Sequence, residues 1–357
     1  MAARGLPVTP PGSFVRPVDL ADFDYHLPER AIAQRPIEPR DAARLLVDAP
    51  LAGGQVAHRR VADLPGLVRP GDVLVVNTTR VLPARLRLRK PSGGEVEVLL
   101  LERGPAGDWD ALVRRSRRVR TGTRLAAGPD LEVEVGGEGA GDGTRRVTLR
   151  VAAGEDELAV LDRYGIVPLP PYIHTPLADP ERYQTVFADR PGSVAAPTAG
   201  LHLTAGVLDR CREAGGRVVP VDLMVGMGTF RPMAAAKVED HHMHAERYAV
   251  PAATLAACEQ ARAEGDRVIA IGTTSVRALE SAAASGELEG RTELFIHRPW
   301  TPRLVDVLLT NFHLPRSSLL VLVDALIGPR WRDLYAEALA QGYRFLSFGD
   351  AMLVAAK

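Results

Sequence analysis

Three imidazoles and three carboxylates crowd into eight residues, Glu239-Asp240-His241-His242-Met243-His244-Ala245-Glu246. Imidazole beside carboxylate is what proton transfer near neutral pH requires, because histidine titrates there and a carboxylate can orient it. A metal site is the second reading, since His241 and His244 could face one way on a helix. Neither the spacing nor any cysteine matches a strong ligand pattern. The third is an exposed histidine-rich turn.

Four other segments concentrate groups that chemistry uses. Pro197 to His202 is a turn leading into a helix, and Thr310 to Pro315 follows a strand. Each sets a histidine, His202 or His313, beside small or amide-bearing residues, where loops commonly contribute to sites. Gly226 to Arg231 carries a glycine pair, Gly226 and Gly228, that lets backbone approach a ligand closely, although no dinucleotide fingerprint follows. Gly272 to Arg277 opens a helix whose first N–H groups would favour a carboxylate or phosphate. Taken singly, each has a plain structural alternative, a hydrogen-bonded histidine or an ordinary helix cap.

The elements that must position these groups fall into two kinds. From Val73 to Val151 short β-type runs follow one another, at 73–76, 85–89, 95–101, 130–135 and 145–151, several alternating with period two. Glycine-rich turns separate them, so a small antiparallel barrel or sandwich is expected. In Arg85-Leu86-Arg87-Leu88-Arg89 the three arginines would share one sheet face and the leucines the core. After about residue 155 strands alternate with helices, the mark of an α/β domain. Thr204 caps a helix to about Ala214, and a strand follows at 217–225. A helix from Ala252 to Glu264 leads into a strand at 267–271 and then the helix after Ser275.

Composition sets the bounds. The 357 residues are 46% hydrophobic and 25% charged, an ordinary globular balance with room for two domains. The first twenty residues lack the apolar core of a secretory signal and read as a loose arm. The most apolar stretch, from Leu319 to Ile327 around Asp324, is far below the ~20 residues a bilayer span needs. Cys211 and Cys258 stand far apart, without disulfide or zinc spacing. A cytoplasmic location with no membrane association is expected. Lys and Arg number 44 against 44 Asp and Glu, but between Arg80 and Arg120 eleven basic residues face five acidic ones. That local excess could attract a phosphate backbone, or be a solvated strand face balanced elsewhere.

Read in order, the segments are more specific than any one alone. Asn77 to Leu86, Pro168 to Ile173, Tyr183 to Phe187, Ala196 to His202, Gly228 to Phe230, Glu239 to Glu246, Gly272 to Arg277, Thr310 to Pro315 and Phe348 to Met352 together resemble the S-adenosylmethionine:tRNA ribosyltransferase-isomerase family of the queuosine pathway. The resemblance runs from about Asp22 to Val354. It implies a large layered, barrel-like α/β domain with a small antiparallel β-barrel inserted near its N-terminal side. The divisions expected are an arm at 1–18, an α/β catalytic domain at 19–75 and 155–357, and the inserted barrel at 76–154.

The resemblance also implies an activity. Enzymes of that family transfer the ribosyl part of S-adenosylmethionine to 7-aminomethyl-7-deazaguanine at the tRNA wobble position. They rearrange it to the epoxycyclopentane of epoxyqueuosine, releasing adenine and methionine. No metal or cofactor is implied, because S-adenosylmethionine is consumed as substrate. The sulfonium acidifies the C5′ hydrogens, so a base must remove one, and a proton donor helps adenine depart. His244 or His241, oriented by Asp240 or Glu246, is expected to handle these protons, with His202 and His313 as further candidates. Thr273, Thr274 and Ser275, with Arg277, would hold the methionine carboxylate. Gly226, Gly228, Thr229 and Asn311 would meet the rest of the nucleotide. Arg80, Arg85, Arg114, Arg115, Arg117 and Arg118 are expected to meet the tRNA anticodon region, with a monomer favoured. The chain departs from the family pattern at Met224, where a histidine is common, at Thr78 and at 297–300, His297 to Trp300. Those departures motivate two alternatives, a divergent ribosyl transferase acting on another amine and a non-catalytic RNA-binding paralogue.

Overall fold

A computed structural model describes residues 18–114, 118–140, 143–226 and 233–357. The expected arm, apart from Val18, and Arg115, Arg117, Gly228 and Thr229 therefore lie outside the described residues.

The chain enters through β1 (Arg44–Val47) and β2 (Ala57–Arg60) and reaches β3 (Val73–Asn77). A short β4 (Thr79–Val81) precedes β5 (Arg85–Arg89), β6 (Glu95–Arg103), β7 (Trp109–Val113), β8 (Arg124–Gly128), β9 (Leu131–Glu138) and β10 (Arg145–Val151). Helix α1 (Glu157–Tyr164), β11 (Gly165–Ile166) and β12 (Arg190–Ser193) follow. Strands and helices then intermix: α2 (Ala205–Glu213), β13 (Arg217–Leu223), β14 (Glu246–Ala249), α3 (Ala252–Glu264), β15 (Val268–Ile271) and α4 (Thr273–Ser285). The chain ends through β16 (Glu289–Thr292), β17 (Val307–Asn311), α5 (Ser318–Ile327), α6 (Trp331–Ala340) and β18 (Ala351–Ala355).

Nine strands form one mixed sheet in the order β16-β14-β13-β3-β15-β17-β18-β1-β2. Its centre, β13, β3, β15 and β17, is parallel. These strands are covered on both faces, which is why β3 and β15 read as unbroken apolar runs rather than alternating ones. Alternation survives in where the side chains go. Leu74, Val76, Ile269 and Ile271 join the core under α2, while Val73, Val75, Val268 and Ala270 join the core that includes residues of α4 and α5.

The second sheet is a barrel of six antiparallel strands, β5-β6-β7-β10-β9-β8, with β8 closing onto β5 through Arg89 and Ala126. Leu86, Leu88, Val98, Val133 and Val147 fill its interior, and α1 closes it with Val160 and Leu161. Arg87 and Arg89 are exposed and alternate with buried Leu86 and Leu88, as expected, while Arg85 is half-buried. Two of the barrel strands, β7 and β8, were not expected from the sequence. Trp109, Ala111 and Val113 do alternate inward, but the run is short and carries Asp110.

The helix boundaries follow their signals. Thr204 caps α2, its Oγ1 accepting from the Val207 amide at 3.2 Å, and α3 spans Ala252–Glu264 before a left-handed Gly265. The histidine-rich segment differs. A three-residue 3-10 turn ends at Asp240, and 241–245 lead into β14 without regular structure. His241 and His244 therefore share no helical face, because the stretch feeds a strand edge instead.

Candidate active site

The parallel strands β3, β13, β15 and β17 end at the same edge of the sheet. From β3 the chain goes to β13 on one side and later to β15 and β17 on the other, so the connections diverge there. The crevice outside such strand ends is where open α/β sheets bind ligands. A cleft of about 350 Å3, including its open mouth, occupies that place. It is lined by residues 196–199, Val225, Gly272, Thr273, Thr274, Thr310, Asn311, His313 and Leu319.

Each lining group is there for a local reason. Gly272 has φ of 89°, a left-handed conformation that turns β15 directly into α4 without a side-chain cap. The first-turn amides of α4 consequently have no intrahelical acceptor and sit at the positive end of the helix dipole. Ser275 turns its hydroxyl back to the Ile271 carbonyl at 2.9 Å, whereas Thr273 and Thr274 line the cleft. The Thr274 Oγ1 is buried without a partner among the described residues.

At the end of β17, Asn311 is held by both halves of its amide. Its Oδ1 accepts from Thr198 Oγ1 at 3.0 Å, and its Nδ2 donates to the Leu346 carbonyl at 3.2 Å and to His202 Nε2 at 2.8 Å. His202 Nε2 is therefore the acceptor and its ring proton belongs on Nδ1. Burial, with Arg344, Arg182 and Arg40 nearby, pushes His202 down to about 3. His313 bonds Thr310 Oγ1 through Nε2 at 2.9 Å, and burial pushes it also to about 3. Both imidazoles are neutral at neutral pH, which suits them to directing hydrogen bonds rather than carrying protons.

Next to the cleft, the Gly226 amide donates to Glu246 Oε1 at 2.9 Å, and Glu246 Oε2 forms an ion pair with Arg277 Nη1. Both side chains are only 6% exposed. Burial pushes Arg277 down to about 10, so it stays charged, and its Nε donates to the Leu294 carbonyl at 3.2 Å. The structure thus couples two residues expected to act separately. Glu246 holds Arg277 and the backbone after β13, and Arg277 answers a carboxylate of the protein itself.

His241 packs edge-on against Phe295 at 5.2 Å between ring centroids. Partial burial, then His244 and His242, lower its pKa. Asp240, His242 and His244 are exposed. None of these four lines the cleft; they precede β14, whose first residue, Glu246, accepts from the Gly226 amide.

Of the expected tRNA contacts, Arg114 and Arg118 are exposed on the barrel, Arg85 is half-buried, and Arg80 pairs with Glu181 at 2.5 Å. Arg87 and Arg120 are exposed as well. Thr198, Val225, Thr310 and Leu319 join the site without having been singled out. Thr198 and Thr310 lay inside the segments quoted above, but nothing marked them as facing the cleft. The three departures lie off it. Met224 packs on Gly192, Thr78 Oγ1 bonds Asp222 Oδ1 at 3.2 Å, and His297 Nδ1 contacts the Arg298 carbonyl at 3.0 Å.

Known proteins resemble this chain along nearly its whole length. A family model described as "Queuosine biosynthesis protein" matches residues 20–354. The S-adenosylmethionine:tRNA ribosyltransferase-isomerase of Gloeobacter violaceus is 50% identical over 355 residues, covering 95% of this chain and 97% of that one. The protein of the same name from Thermus thermophilus is 51% identical over 348 residues, covering 94% and 99%. The crystal structure of S-adenosylmethionine tRNA ribosyltransferase from Thermotoga maritima aligns with a TM-score of 0.52 at 35% identity, covering 93% of this chain and 99% of that chain.

Proposed function

The chain belongs to the queuosine biosynthesis protein family, and from that membership we propose that it is an S-adenosylmethionine:tRNA ribosyltransferase-isomerase. It moves the ribosyl unit of S-adenosylmethionine onto the aminomethyl group of 7-aminomethyl-7-deazaguanine at the tRNA wobble position and rearranges it to the epoxycyclopentane. Adenine and methionine leave, S-adenosylmethionine is a substrate rather than a cofactor, and the work is done in the cytoplasm. The observation that supports this most is convergence. Three segments carrying the resemblance, at 196–202, 272–277 and 310–315, are distant in sequence and meet at one cleft beside Val225.

The groups divide the chemistry according to their surroundings. The methionine carboxylate sits at the first turn of α4, where unpaired amides and the Thr273 and Thr274 hydroxyls receive it. Asn311 and Thr198 hydrogen-bond the nucleotide beside Val225 and Leu319. Gly226 gives it a backbone wall. His313 and His202 stay neutral and hold Thr310 and Asn311 in orientation. Proton traffic at C5′ and at the departing adenine is assigned to His241 and His244, which keep contact with solvent and, standing outside the cleft lining, act on the part of the substrate that reaches past Glu246. Glu246 acts through Arg277 by fixing the backbone beside Gly226.

The test is incubation with S-adenosylmethionine and tRNA carrying 7-aminomethyl-7-deazaguanine, followed by nucleoside mass analysis and adenine quantification. Epoxyqueuosine with stoichiometric adenine is expected. Adenine release with an unmodified tRNA would point to another amine acceptor, and no adenine at all would sink the assignment. His244→Ala should slow single-turnover chemistry by roughly 10²-fold or more while leaving tRNA affinity intact.

A further inference from the structure

Behind the cleft lies a second, smaller pocket of about 210 Å3, its open mouth included. Arg40, Arg182, His202, Ser347 and Phe348 line it. It shares a wall with the cleft, because His202 bonds Asn311 at 2.8 Å and Asn311 faces the other side.

Its donors exceed its acceptors. Arg182 uses Nε on Glu38 and Nη2 on the Ile37 carbonyl at 2.7 Å, and its Nη1 is buried without a partner among the described residues. Arg344 stands near His202 but outside the pocket lining, and its buried Nη2 makes no hydrogen bond among the described residues beyond an ion pair with Asp350 Oδ1 at 3.9 Å. Arg40 spends its guanidinium on the carbonyls of Gln184, Leu201 and Glu181, which bring no formal charge. The nearby carboxylates are engaged. Glu38 is on Arg182 Nε, Glu181 is on Arg80, and Asp350 takes the amides of Arg44 and Arg344 at 2.9 and 2.7 Å. His202, with its proton on Nδ1, adds another donor. Buried donors left unpaired are costly, and guanidiniums meeting around a small space select a multivalent oxyanion.

We propose that this arginine-lined pocket holds a phosphate group of the tRNA backbone next to the nucleotide being modified. The inference rests on the function proposed above and names a contact within it. RNA is favoured over a free ion because the cations continue outward. Arg40 meets the Glu181 carbonyl at 2.9 Å, and Arg80 meets the carboxylate of the same residue at 2.5 Å, so the pocket joins the basic run that begins the barrel segment. A phosphate seated there also presses on the His202–Asn311 wall, giving RNA binding a direct mechanical link to the S-adenosylmethionine cleft.

The experiment compares the intact protein with Arg182→Met, Arg182→Lys and Arg344→Met. Inorganic phosphate is titrated in thermal melts, with methionine as the carboxylate probe, and tRNA affinity is measured across a salt series. Phosphate should raise the melting temperature of the unaltered protein and of Arg182→Lys more than that of Arg182→Met. In both methionine variants tRNA affinity should fall roughly tenfold, and the salt slope should shrink by about one. Equal phosphate responses in all four proteins would overturn the pocket. A variant-sensitive response to methionine but not to phosphate would overturn it too, making it a carboxylate site. Unchanged tRNA affinity and slope in both methionine variants, despite lost phosphate response, would overturn RNA as the source. Failure of the function itself would look different: the unaltered protein would leave the modified tRNA unchanged while its phosphate response persisted.

Discussion

His202 and His313 illustrate how a side chain's surroundings decide its role. Both look like acid–base candidates by type, yet burial lowers each to about 3, with the arginines around His202 adding to the effect. The folded protein therefore binds fewer protons than the unfolded chain between about pH 3 and the unperturbed value near 6.5. Stability contributed by the neutral form is complete above about 6.5 and is lost as pH falls, by up to about 1.4 kcal/mol per pH unit for each histidine. Urea midpoints at pH 7, 6 and 5 should fall steadily, and His313→Asn should flatten that slope; a midpoint independent of pH would refute the neutral assignment. The Glu246–Arg277 pair makes the complementary case. Glu246→Gln leaves a buried guanidinium uncompensated and should cost about 3–5 kcal/mol in denaturant unfolding. Adding Arg277→Met should recover part of that loss, whereas additive losses would mean that the two side chains do not interact.

Elements matter because they deliver these side chains to one place. The turn from β15 into α4 occurs at a single left-handed residue, Gly272. A Cβ there would meet Ala199 Cβ and Thr274 Oγ1 at 3.6 Å, ordinary contact distances, so an alanine is resisted by backbone conformation rather than by space. Gly272→Ala should destabilise by about 1–3 kcal/mol and weaken S-adenosylmethionine binding by more than it weakens tRNA binding, because the first turn of α4 would rotate. Calorimetric titration with each ligand checks the split, and equal losses would place the methionine carboxylate elsewhere. The helix itself was legible: a strand-like apolar run, a glycine, then small polar residues and a helical stretch. The path of 238–246 was not, because clustered polar residues carry no periodicity and the strand Glu246–Ala249 is defined by its partners β13 and β16.

Over the whole molecule, two sheets divide the labour. The nine-stranded sheet holds the cleft, and the barrel exposes Arg87, Arg114, Arg118 and Arg120. Replacing Arg114, Arg115, Arg117 and Arg118 with alanine should weaken tRNA binding and reduce its salt slope by about 0.9 for each phosphate no longer neutralised. Binding of S-adenosylmethionine alone should not change. A normal salt slope in that variant would move the RNA off this face of the barrel.

The amino-acid order alone determined the kinds of structure and the family. Period-two runs with glycine turns specify a small antiparallel barrel or sandwich, because alternation turns one face of a strand inward and the other outward, as with the leucines and arginines of Arg85–Arg89. Nine ordered segments identify the relatives through residue identity alone. Only the tertiary structure decided which of those segments share a cleft, that Glu246 belongs to Arg277, and that three arginines from separate segments surround His202. The reason is physical. Local sequence sets backbone conformation and which face is apolar, but burial, field and hydrogen-bond partners arise when β3, β13, β15 and β17 line up their ends, and no stretch of chain contains that information by itself.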